Sequence, residues 1–320
     1  MPANQKKKFK PPSLEEFRQQ FATEDDCARF LFEKRWPKGW KCPKCNHAKC
    51  YLIKGRKLYE CAACGHQVSV TAGTVMHKTR TPLRIWFEMI YLVAVDKRGV
   101  SSVGLGNILG ITQKKAWCML QKLRHAMGER DGRYMLDGVV EIGESFFGNP
   151  KEGGDRHPAK AAKINMLAGL SVTSEGNPRY IKIKVVPGFS REHLEPAVEA
   201  MVAAGSKVKT NGLRSYLSLG AKGFSHERAV AGDTEEPEEP GWLQTAVTNF
   251  MALVGGTYHG LENKRGKHSQ AYLDEFAYRF NRRNRPDLIA ERCIAALAAC
   301  PPWTYRDIVS VKPVCKKAQP

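Results

Sequence analysis

The sequence predicts a multidomain α+β protein, and three observations carry the prediction. Two Cys-x-x-Cys pairs stand fifteen residues apart, helical spacing of apolar residues runs through 82–127, and from about 138 strand-like segments rich in β-branched residues take over. With 320 residues, 42% of them apolar, the chain is long enough for two or three cores. Its 51 Lys plus Arg against 32 Asp plus Glu leave a formal charge of +19. The first 130 residues hold 25 basic and 10 acidic side chains, an excess of 15, so the other 190 carry only +4. Such an excess serves a polyanion, since counterions released from phosphates become affinity, and it places the nucleic-acid-facing part at the front. No apolar stretch reaches about 18 residues, and the basic opening 1–10 has no apolar run behind it. Membrane spanning and signal-peptide secretion are therefore not expected; a cytoplasmic, nucleoid-associated protein is.

A helical lead-in occupies 1–36. Leu14, Phe17, Phe21, Cys27, Phe30 and Leu31 are spaced for one helical face over 13–34, with Ser13 and Glu16 as a capping box. Next, at 37–77, come Cys42 and Cys45 and then Cys61 and Cys64, separated by a gap that suits two short strands and a turn. Each knuckle presents two thiolates to a tetrahedral ion, and metal binding supplies folding energy that so short a segment lacks. The segment reads as a zinc ribbon; a redox pair or iron site at this spacing is the alternative. Cys50, His47 and His66 lie nearby and are expected outside the ligand set, while Cys27, Cys118, Cys293, Cys300 and Cys315 read as small apolar fillers.

Residues 78–136 predict a helical DNA-binding domain. A strongly apolar helix over 82–95 precedes two amphipathic segments, 101–109 and 112–127, joined through Gly110-Ile111. A short Gly-containing turn between helices is the helix-turn-helix arrangement, an ordinary helical hairpin being the plainer alternative. Thr112 caps the second helix, Gln113, Lys114 and Lys115 fall on its first turn, and Trp117, Leu120 and Leu123 pack inward. Lys122 and Arg124 complete the expected DNA-contacting set.

The third part, 137–286, predicts strands over 139–147, 165–172 and 180–186 in an antiparallel meander, a helix over 192–203, and a strand at 207–210 that crosses over to pair in parallel. Three strands, a helix and a strand is the opening order of a ribonuclease-H-like α/β domain. An acidic stretch at 232–241, helices over 242–254 and 270–282, and a last helix at 288–299 with a polar tail (287–320) finish the chain.

A zinc ribbon, a helix-turn-helix and a ribonuclease-H-like domain in that order resemble the bacterial insertion-sequence transposases. The resemblance covers about 15–285 and rests on Trp40-Lys-Cys-Pro-Lys-Cys, Ser69-Val-Thr-Ala-Gly-Thr-Val-Met-His, Val140-Glu-Ile-Gly-Glu-Ser, Thr210-Asn-Gly with Tyr216, Gly256-Thr-Tyr-His-Gly and Tyr272-Leu-Asp-Glu-Phe-Ala-Tyr-Arg-Phe-Asn-Arg-Arg. It implies two catalytic Asp and a third Asn or Glu holding divalent metal. Gly143 and Asn211 stand where the two Asp are expected; Asn249 best matches the third position, with Glu275 a weaker candidate. A two-metal site needs carboxylates to offset two dications. Glu141, Glu144 and Asp137 are the neighbouring acids, expected as solvated groups or lysine partners, and histidines 157, 193, 226, 259 and 268 are scattered. The resemblance thus implies a double-stranded-DNA-binding protein with structural zinc, a homodimer or higher on DNA, and strand cleavage and transfer lost. The alternative is an active transposase, for which alone Mg or Mn is implied.

Overall fold

In a computed structural model describing residues 9–147, 164–228, 242–256 and 267–312, the lead-in folds as two helices, α1 (Leu14–Gln20) and α2 (Glu24–Arg35). The continuous spacing over 13–34 is interrupted because Thr23 and Asp26 form a second capping box. Three antiparallel strands follow in the order β1-β2-β3: β1 (Cys50–Ile53), β2 (Leu58–Cys61) and β3 (Gln67–Ser69). The first two fill the gap between the cysteine pairs, and the third lies beyond the second pair. Their buried core is only Trp40, Cys42, Cys61 and Val68, lined by Phe32, Trp36, Cys50 and Tyr59.

α3 (Leu83–Val95) is buried on several sides through Leu83, Trp86, Phe87, Met89, Ile90, Tyr91 and Val93. Phe17 packs on Tyr91, and Phe21 packs edge-on against Phe87. α4 (Ser102–Leu109) and α5 (Gln113–Gly132) come next. α3 also packs against α9 (Ile289–Ala299), so the C-terminal segment belongs to the N-terminal unit, Met1–Arg130 with Arg282–Val309. Where a polar tail was expected, Thr304 and Asp307 cap a further short helix, α10 (Tyr305–Ser310).

The second unit, Asp131–Asn281 with Ser310–Pro320, holds a five-stranded sheet in the order β6-β5-β4-β7-β8. β4 (Val139–Phe147), β5 (Ile164–Val172) and β6 (Pro178–Val185) form the antiparallel meander. α6 (Arg191–Glu199) then leads to β7 (Lys207–Thr210), which pairs in parallel with β4. A fifth strand, β8 (Ser225–Arg228), pairs in parallel with β7; its Ser-His-Glu-Arg sequence carries no apolar alternation, and so gave no sequence signal. This is the ribonuclease-H-like arrangement. One face packs β5 and β6 against α7 (Trp242–Gly256) and α8 (Ser269–Phe280), through Ala246, Val247, Phe250, Leu273 and Phe276. The other packs Val140, Ile142 and Val208 against α6 and against Tyr216, Leu219 and Phe224. Side chains alternate along β4, so odd positions face α7 and even positions face α6.

Candidate metal sites and nucleic-acid interface

In the ribbon, the Sγ atoms of Cys42, Cys45, Cys61 and Cys64 all lie within 4.8 Å of one another. Cys42 and Cys64 are 3.7 Å apart, and Cys45 and Cys61 are 3.5 Å apart. A tetrahedron with bonds of about 2.3 Å has sulfur–sulfur edges of about 3.8 Å, so the four thiolates fit zinc. The two knuckles share one backbone design. Cys42 N–H donates to His47 O and Cys61 N–H to His66 O, while the fourth residue after each first Cys donates back to it from a left-handed conformation. Those residues are Asn46, φ 61°, and Gly65, φ 66°. These four cysteines hold the structural zinc; Cys50, His47 and His66 stand outside the cluster. Burial pushes the Cys27 thiol up to about 12 and raises Cys118, and Cys293 and Cys300 are buried, as apolar fillers should be.

The sheet places together the two positions where the resemblance expects the catalytic Asp residues. Thr210 pairs with Ile142, so Gly143 and Asn211 each lie one residue beyond that pair on adjacent parallel strands. Neither is charged. A Cβ on Gly143 would lie 3.1 Å from Leu243 Cδ2, so the α7 side chain over this position is Leu243. Asn249 sits six residues further along α7 and is exposed. Glu275 is elsewhere. It is 1% exposed on α8, which packs against β6, and it pairs with Arg279 at 3.2 Å.

One acid does reach the pair. Glu144 points to the α6 face, as alternation requires, yet its Oε1 accepts a hydrogen bond from Asn211 Nδ2 and its Oε2 accepts one from Tyr216 Oη at 2.8 Å. Asn211 Oδ1 accepts from Leu213 N–H at 3.1 Å. Burial, and then the Glu144 carboxylate, raise the Tyr216 phenol. Glu144 is thus no merely solvated acid, and sequence distance hid its partners. Glu141 lies beside Lys209 in register on β7, and Asp137 pairs with Arg179 at 3.4 Å before β4 begins. His193 bonds Ser190, and His226 Nε2 lies 2.8 Å from Thr210 Oγ1. His157, His259, Cys315, the acidic stretch 232–241 and the end of the Gly256 run lie outside the described residues. One bound carboxylate does not fit two dications.

α4 and α5 follow each other through a short turn at Gly110-Ile111-Thr112. Gly110 caps α4 at φ 62°, and a Cβ on Gly106 would lie 2.9 Å from Ile111 O, so the tight turn requires glycine there. Thr112 Oγ1 accepts from Lys115 N–H at 3.3 Å, and Gln113, Lys114 and Lys115 are exposed. Lys114 Nζ also sits 5.2 Å from the Tyr305 ring centroid. Lys122 and Arg124 are corrected. Lys122 Nζ donates to Val75 O at 2.9 Å and is pushed down by burial, and Arg124 is 2% exposed. A charge held inside the fold cannot displace counterions from a phosphate. The sequence reading also passed over the ribbon surface. Lys38, Lys41, Lys44, Lys49, Lys54, Arg56 and Lys57 are all exposed there, against the half-buried Glu60, with Tyr51 and Leu52 open beside them. Seven basic residues to one acidic between 37 and 67 was the available signal.

No helix among the described residues is long and apolar enough to cross a membrane. Residues 135–281 match the family model described as ISXO2-like transposase domain, and residues 22–67 match the transposase zinc-ribbon domain. No curated protein matches the chain.

Proposed function

The chain is by family an insertion-sequence transposase with an N-terminal zinc ribbon and a DDE-type domain, and on that premise we propose that it grips double-stranded DNA without cutting or joining it. Supporting the grip are the exposed cations of the ribbon and of the first turn of α5, each of which releases condensed counterions when it meets a phosphate. One observation carries the loss of cutting: the adjacent strand-end positions are Gly143 and Asn211, neither charged. Phosphoryl transfer by two metals requires anionic ligands to offset the dications and hold them against the attacking and leaving oxygens. The family brings two DNA ends together, and a dimer on DNA, retained from that ancestry, is part of the proposal.

Active strand transfer has one observation on its side, the Glu144 carboxylate beside Asn211. It requires the single Glu144 carboxylate to hold the cations that paired Asp residues hold in the family. A single assay separates the readings: labelled duplexes spanning the DNA on either side of the gene, incubated with the protein and Mg²⁺ or Mn²⁺. The expected result is a retarded complex that weakens steeply with salt and yields no product. Nicked or joined strands above background overturn the proposal.

A further inference from the structure

We propose that the strand-end centre is closed by packing as well as short of charge, so that aspartates reinstated at 143 and 211 do not rebuild a metal site until Leu243 is shortened. The inference rests on the reading that the native chain does not cut DNA, and it goes further by naming what blocks repair.

Two contacts carry it. Leu243 Cδ2 lies 3.1 Å from where a Cβ on Gly143 would stand, and Leu243 Cγ lies 3.9 Å away. The first is tighter than an ordinary van der Waals contact, and an Asp carboxylate would extend further toward the same isobutyl group. Its oxygens would meet hydrocarbon in place of cation or water. Leu243 is partly buried against the core that α7 shares with β5 and β6, which limits how far it can turn away. At position 211 the obstacle is electrostatic. Asn211 Nδ2 donates to Glu144, whose other oxygen is held by buried Tyr216. An aspartate there offers Glu144 an acceptor in place of a donor, so the two carboxylates repel unless a cation lies between them, and a cation there still lacks a ligand from position 143 while Leu243 covers it. The centre holds together because it is uncharged at 143 and 211.

The test compares Gly143→Asp/Asn211→Asp with the same pair plus Leu243→Ala, titrating Mn²⁺ and following its paramagnetic resonance signal. The double variant is expected to bind Mn²⁺ only weakly, and the triple variant to bind at least about tenfold tighter than the double. Equal binding by both, or a triple variant that stays metal-free, overturns the proposal. Should the aspartate variants fail to fold, a thermal-melting cycle of Gly143→Ala, Leu243→Ala and both together decides it. Gly143→Ala should lower the melting temperature in the native background and not in the Leu243→Ala background; equal effects in the two contradict it. Cleavage by the native chain would sink the reading beneath this one while leaving the melting cycle intact, so the two failures are distinguishable.

Discussion

In the ribbon four thiols converge within 4.8 Å of one another, whereas at the ends of β4 and β7 a glycine and an amide stand side by side under a leucine. Both places are built by short-range backbone geometry, two knuckles in one case and two parallel strands in the other. The ribbon keeps anionic ligands and an open centre. The strand-end pair keeps the geometry and has neither. On the proposed reading, a scaffold preserves the positions of a metal site after its charge is gone, with the vacated space packed and the remaining polar groups bonded to one another. Here Leu243 does the first and the Glu144–Asn211–Tyr216 hydrogen bonds do the second.

The largest effect that would break this contrast is loss of zinc. Structural zinc supplies roughly 10 kcal/mol or more in small metal-dependent folds, and the ribbon has only four buried core residues without it. Cys61→Ser is expected to lose the ion, loosen the packing around Trp36 and Trp40, and weaken DNA binding, all readable by metal analysis, tryptophan fluorescence and gel retardation. Unchanged zinc content in that variant would refute the ligand set. Next in size is Glu144→Ala, which leaves the exposed Asn211 amide to water and strands the buried Tyr216 hydroxyl. Leaving such a buried group unpaired costs about 1–3 kcal/mol, so denaturant unfolding of the sheet domain should come earlier while DNA affinity holds. A Glu144→Ala protein as stable as the native one would mean that these bonds contribute nothing.

A smaller change is expected on the DNA side. Each phosphate contact removed lowers the slope of log K against log salt by about 0.9. Lys114→Ala and Lys115→Ala should each flatten that slope, and Lys122→Met, whose ammonium is committed to Val75 O, should not. Smallest is the response to acid, which sharpens the comparison because the ribbon answers by protonating thiolates. The sheet domain answers through His226, whose imidazole is lowered by burial and then by Arg228. With the folded pKa below the unfolded one, neutral His226 contributes stability above the unfolded value of about 6.5, lost as pH falls through the folded value. Melting of the sheet domain between pH 7 and 5 should show this, and His226→Gln should blunt it.

The sequence disclosed what is local. Ligand spacing in the ribbon, the β-branched runs of β4 to β6 and the crossover into β7 each sit within a few residues of their cause. It did not disclose β8, whose four polar residues take their conformation from β7 alone, nor the break at Thr23, where capping overrode a continuous apolar spacing. α5 misled for a different reason. Helical spacing already turns Arg124 inward, four residues after Leu120 and seven after Trp117, as its burial shows; Lys122 lies on the opposite face, and its ammonium is taken up by Val75 O, remote in the chain. The partners of Glu144 were hidden likewise, 67 and 72 residues away. Gly143, Asn211 and Asn249 were legible only through the family resemblance of their runs; the register adds that the first two stand beside each other on parallel strands, and nothing in the α7 sequence shows that Leu243 lies over Gly143.

The most direct test of the contrast is metal content. Protein exchanged into buffer holding both Zn²⁺ and Mn²⁺, freed of unbound ions and assayed by elemental mass spectrometry, is expected to carry one zinc per chain and no manganese. One or two manganese ions per chain, released on mutation of Glu144, would contradict it.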